Sequence, residues 1–146
     1  MVTSEIRIMY NPIKLDNGNV KITNSDDACK VFLDNWNKGT IQLQEEFKVM
    51  LLNNSNEVLG IYEMTKGGMT STLVDIKLLF AVVLKSCATA IITVHNHPSG
   101  KLKPSNSDID IYTKIKNAAG MLDVKYLDNL IISKVGKYSF SDDGIS

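Results

Sequence analysis

The spacing of hydrophobic and polar positions changes period several times along the chain, and each change marks an element. EIRIMY at 5–10 alternates like a short strand, and NVKIT at 19–23 reads as another. Asn24 or Ser25 is placed to cap a helix through DDACKVFLDNWN. Asp26 and Asp27 fall in its first turn, where unpaired backbone N–H groups favour negative charge. Gly39 is the expected stop. EEFKVMLLN and EVLGIYEM flank the turn-rich NNSN and predict a β-hairpin. A loop at Gly67-Gly68 precedes STLVDIKLLFAVVLKSC, whose apolar residues at 73, 76, 79, 80, 83 and 84 keep helical spacing. ATAIITV is a continuous apolar run, expected as a strand buried on both faces. PSGKLKP is a loop, and SNSDIDIYTKIKNAAG is a helix with a serine cap and a C-terminal glycine. VKYLDNLIIS and KYSFS are closing strands.

This order predicts an α/β (α+β) fold in which a mixed β-sheet is flanked by helices. One domain over 1–146 is expected, with 1–42 as an N-terminal strand and helix extension and 43–146 as the core. A chain of 146 residues with 44% hydrophobic and 22% charged side chains suits one globular unit. Sixteen basic and sixteen acidic residues cancel, so no global charge draws the chain to nucleic acid or to an acidic membrane. Lys101, Lys103, Lys114 and Lys116 lie close in sequence and read as a solvated face. Cys29 and Cys87 sit in apolar segments without a CxxC partner, which predicts buried, reduced thiols. The start lacks the layout of a signal peptide, and the longest apolar stretch, Leu78 to Leu84, is too short to cross a bilayer. A cytoplasmic protein without membrane contact is expected; oligomeric state has no signature here.

Both histidines of the chain fall in HNHPSG, at the end of the ATAIITV run. Residues i and i+2 on extended backbone point to the same side, so His95 and His97 aim at one point beyond the strand. That geometry suits two ligands of one metal ion, and imidazole is a common zinc ligand. Asp108 follows eleven residues after His97, in the first turn of the next helix, and PSGKLKP is long enough to bring that turn back. Two nitrogens and a carboxylate would leave the fourth position of a tetrahedral zinc open to water. Blander readings stand beside this one. A lone HxH is weak, and Ser105-x-x-Asp108 is also a capping-box helix start that needs no metal. A phosphate loop fails: His95 occupies its first glycine position, and Leu102 follows Lys101 where Ser or Thr is required.

HNHPSG followed by Pro104-Ser105-x-x-Asp108 resembles the JAMM (MPN-type) metalloprotease signature, and its HNHPSG form is similar to the bacterial RadC family, historically labelled as DNA repair proteins. The resemblance runs from about Leu43 to the C-terminus and takes in EEFKVMLLN, GGMTSTLVDIKLLFAVVLKSCATAII, YLDNLIIS and YSFSDDG. It implies a JAMM/MPN-like domain in which His95, His97 and Asp108 bind zinc. It also implies that Ser105 hydrogen-bonds the oxyanion and that Glu45, two residues before Phe47, is the general base. On a strand Glu45 and Glu46 face opposite sides. Glu45 goes with Phe47, Val49 and Leu51, and Glu46, with Lys48 and Met50, is expected to face solvent. Asn96 should point away from the metal and brace the loop. The implied activity is zinc-dependent hydrolysis of a peptide or isopeptide amide, on a peptide or protein substrate of unspecified identity. The alternative is a DNA repair or mobile-element accessory protein. Two departures from RadC weigh against nucleic acid as a partner: the forty-odd residues before Glu45 are too few for the usual helix-hairpin-helix domain, and Ile76-Lys77 replaces a common Pro-Arg pair.

Overall fold

Over residues 1–7, 9, 18–66 and 74–144, a computed structural model describes five strands and four helices. The sheet order is β2-β1-β3-β4-β5, with elements at α1 Ser25–Asp34, β1 Glu46–Leu52, β2 Val58–Lys66, α2 Ile76–Lys85, β3 Ala90–Asn96, α3 Asn106–Met121, β4 Lys125–Ser133, β5 Gly136–Ser139 and α4 Phe140–Asp143. Only β3 and β4 run parallel, because α3 carries the chain between them; the other neighbours are antiparallel. The mixed α+β architecture is the expected one. The short hairpin turn around NNSN uses Asn56 in the left-handed region (φ 58), which asparagine tolerates.

β1 and β3 are buried along their whole lengths, and strand alternation divides them between two cores. Phe47, Val49, Leu51 and Ile91 face α2 and α3 through Leu79, Phe80, Val83 and Ile115. Met50, Leu52, Ile92 and Val94 face α1 through Ala28, Phe32 and Trp36. Each large apolar side chain so covered contributes about 1.5–3 kcal/mol from burial. His95 therefore lies on the α2/α3 face and Asn96 on the α1 face.

Several local expectations need correction. Residues 5–7 and 9 are exposed and form no strand, while 8 and 10 lie outside the described residues. Residues 19–23 pair with the sheet at the hairpin tip through a single bridge from Lys21 to Glu57, and Ile22 packs into the α1-side core, before the chain turns into α1. Asn24 caps α1, but the helix ends at Asp34; Gly39 sits in the following turns with its N–H held by Asn37 Oδ1 at 2.8 Å. Gly120 lies inside α3, and the left-handed residue that leaves the helix is Asp123 (φ 55). KYSFS is strand only to Ser139, whose hydroxyl accepts from Asp142 N and starts α4. Cys29 is half-buried, and Cys87, left-handed at the end of α2, is exposed rather than buried. The Gly67-Gly68 loop and the start of STLVDIKLLFAVVLKSC lie outside the described residues.

Candidate metal centre

The C-terminal end of β3 and the N-terminus of α3 meet at one point, brought together by the 97–105 loop. In that loop Gly100 adopts φ 88, and its N–H closes a turn onto His97 O at 2.9 Å. The turn returns Lys101 O to His97 Nδ1 at 2.7 Å. A carbonyl oxygen only accepts, so Nδ1 carries the proton and the Nε2 lone pair of neutral His97 points inward. His95, only 3% exposed, stacks on Phe47, its register partner on β1, with ring planes 8° apart.

α3 begins with a full capping box. Ser105 Oγ accepts from Asp108 N at 3.1 Å, and Asp108 Oδ2 accepts from Ser105 N at 2.8 Å. The bland reading of these two residues is thus correct as local structure, and it is also what aims the carboxylate. His95 Nε2 lies 3.1 Å from Asp108 Oδ1, His97 Nε2 lies 3.2 Å from Asp108 Oδ2, and the two Nε2 atoms are 3.1 Å apart. Ligands about 2.0–2.1 Å from a tetrahedral zinc stand about 3.3 Å from one another, so the triangle matches the size of such a site. Its chemistry also fits a cation. With Nδ1 protonated, neutral His97 would set its Nε2 lone pair against a carboxylate, a repulsion that a bound cation removes.

The electrostatics point the same way. Burial works to raise the Asp108 pKa, but hydrogen bonds from His95, His97 and Ser105 outweigh it and hold the carboxyl far below its usual range. Burial alone would lower the His97 pKa; the bonds to Asp108 and to the Lys101 carbonyl, with the charges of Asp108 and Glu45, move it upward instead. Among the described residues, these three side chains form the one cluster of His, Cys, Asp or Glu able to hold a metal ion.

Glu45 lines the same cavity, of about 370 Å³, together with His95, His97, Ser105 and Asp108. It precedes β1 by one residue and is buried, at 7% exposure. Its position is fixed from the opposite face of the sheet. Asn96 Oδ1 accepts from Glu46 N at 2.7 Å, while Asn96 Nδ2 donates to Gln44 O at 2.9 Å and to Ile41 O at 2.7 Å. The peptide groups on both sides of Glu45 are therefore clamped by the residue that separates the two histidines. Glu46 does not face solvent. It is 2% exposed, covered by the 35–44 turns, with Thr40 Oγ1 donating to its carboxylate at 3.3 Å.

Sequence reasoning missed one group. Asn129, 3% exposed on β4, lines the cavity and pairs in register with Thr93. Its Oδ1 accepts from Thr93 Oγ1 at 2.8 Å, and Thr93 Oγ1 in turn meets Tyr126 Oη. The available signal was a polar residue, two places before Ile131, on the inward face of an apolar strand. Of the four lysines read as a solvated face, all are exposed, but Lys101 and Lys103 also border the cavity.

A model of the RadC-like JAB domain matches residues 22–145. The chain is similar to three proteins named UPF0758 protein. It is 47% identical over 125 residues to that of Flavobacterium johnsoniae, covering 86% of this chain and 53% of the relative. The identity to that of Porphyromonas gingivalis is 39% over 103 residues, covering 70% and 45%. For Clostridium beijerinckii it is 30% over 145 residues, covering 99% and 62%. The chain thus spans about half the length of the curated relatives it matches. Among the described residues no helix is long and apolar enough to cross a membrane.

Proposed function

The chain belongs to the RadC-like JAB domain family, and from that premise we propose that it is a zinc-dependent hydrolase of peptide or isopeptide amides. The observation that carries this reading is the convergence of His95, His97 and Asp108 within 3.1–3.2 Å, with Glu45 on the wall of the same cavity. A bound zinc supplies Lewis acidity, polarising a carbonyl and lowering the pKa of water to about 7.

The chain's own residues do the rest. Glu45, held between two clamped peptide groups, accepts a proton from the attacking water and returns it to the leaving amine nitrogen. A carbon–oxygen bond forms as the carbon–nitrogen bond breaks, so the proton balance closes on Glu45. Ser105 Oγ receives the Asp108 N–H, which leaves its own O–H free to donate to the carbonyl oxygen as that atom gains charge. Phe47 and the buried β3 end keep bulk water from one side of the site. Reduced free thiols at Cys29 and Cys87 accord with a cytoplasmic setting.

The test is hydrolysis of a fluorogenic peptide and isopeptide library by zinc-loaded protein, with Glu45→Gln alongside. Cleavage that requires zinc and disappears in Glu45→Gln supports the reading. Cleavage that survives removal of zinc, or none across the library at any zinc occupancy, contradicts it.

A further inference from the structure

We propose that the cavity takes a substrate carrying a carboxylate beside the scissile amide, held by Lys101 and Lys103 at the rim and by Asn129 on the floor. This rests on the hydrolase reading and specifies its substrate class. The groups that line the cavity divide by charge. Its acidic members are Glu45 and Asp108, both committed to the chemistry at the metal. With a divalent ion in place those two carboxylates are neutralised, and the charge left over is that of Lys101 and Lys103.

Neither lysine makes an ion pair among the described residues, and both are exposed. Their placement is not that of free surface side chains. The backbone at Lys101 is tied to the site through its carbonyl bond to His97. Lys101 and Lys103 both line the cavity, while the half-buried Leu102 between them lies against Gly136.

Asn129 supplies a second, independent donor. Its Oδ1 is taken by Thr93, and because an amide oxygen only accepts, Thr93 must donate to it and Tyr126 must donate to Thr93. The amide Nδ2 is left without a partner among the described residues, on a side chain that lines the cavity. Every lining group not engaged at the metal, among those named, is thus a donor or a cation, and the complementary ligand is anionic and rich in acceptors. An acidic peptide fits better than nucleic acid. Two lysines on a chain of zero net charge make no stripe along which a phosphate backbone could run.

Three probes of equal length test this by calorimetric titration into zinc-loaded protein: a peptide with glutamate side chains and an amidated C-terminus, a neutral peptide with a free C-terminal carboxylate, and a neutral amidated peptide. One of the first two is expected to bind roughly tenfold more tightly than the third, the scale of two part-solvated charge pairs, and the preference should shrink with added salt. Which of the two it is distinguishes a side-chain carboxylate from a chain terminus. The double variant K101A/K103A should lose that excess at unchanged zinc content. Asn129→Asp should weaken the preferred probe, and Asn129→Gln should partly restore it. Equal binding of all three probes, an excess retained in K101A/K103A, or tighter binding of a single-stranded oligonucleotide than of any peptide overturns the proposal. Lysine-dependent binding without hydrolysis would defeat the hydrolase reading alone, whereas hydrolysis without charge preference would defeat this inference alone.

Discussion

Replacing Asn96 by alanine removes a bracket rather than a catalytic group, and the cost follows from its contacts. Three hydrogen bonds of 2.7, 2.7 and 2.9 Å disappear, and Glu46 N, Ile41 O and Gln44 O lose their buried partner. At about 1 kcal/mol net for each bond the loss is about 3 kcal/mol, rising toward 5 where the abandoned groups stay dry. For a chain of this size that lowers the melting temperature by about 10 °C. Asn96→Asp should be no better: it keeps the acceptor for Glu46 N but turns a carboxylate toward two carbonyl oxygens and toward the buried Glu46. Urea unfolding is readable through Trp36, the single tryptophan, which is 5% exposed in the native state. Because the clamped peptide groups flank Glu45, hydrolysis should fall further than zinc affinity does. A loss of stability below about 1 kcal/mol for Asn96→Ala would refute the bracket.

Other expectations follow from the same geometry. Glu45→Gln should keep its zinc and lose hydrolysis, while Glu46→Gln, on the far face of the sheet, should retain hydrolysis; the reverse pattern in a cleavage assay would place the wrong carboxylate at the site. Protonated His97 is favoured by the metal-free fold, so its contribution is full below about pH 6.5 and is lost as pH rises through the elevated folded value. Zinc needs the neutral ring, so the stabilisation given by zinc should shrink as pH falls through that value; melting curves with and without zinc between about pH 5.5 and 8 check this, and a constant gap would contradict it. Binding to nonspecific duplex DNA should be weak at physiological salt, given the balanced charge; a titration showing tight binding with a steep salt slope would favour a nucleic-acid role.

How far the sequence reaches depends on how local the signal is. The hairpin around NNSN, the caps at Asn24 and Ser105 and the buried β3 follow from turn chemistry and hydrophobic period, both local properties. The same-side pair His95 and His97 follows from strand alternation, and Asp108 from a capping box that also orients a ligand. Glu46 was misjudged because alternation assigns faces but not covers: the 35–44 turns bury what pattern alone leaves open to water. Asn129 stayed hidden because its role depends on a register with Thr93 that no local pattern encodes. The segment 19–23 alternates like a strand and buries Ile22 in the core, yet its backbone pairs with the sheet through one bridge at the hairpin tip. Gly120 resembled a stop, but α3 runs past it, and an aspartate takes the left-handed position instead.

Metal content tests the central claim most directly. The measurement is elemental analysis of the protein purified without added metal, set beside His97→Ala prepared in the same way. A centre built from His95, His97 and Asp108 predicts about one zinc per chain in the parent and a small fraction of that in the variant. Equal metal in the two proteins would contradict it.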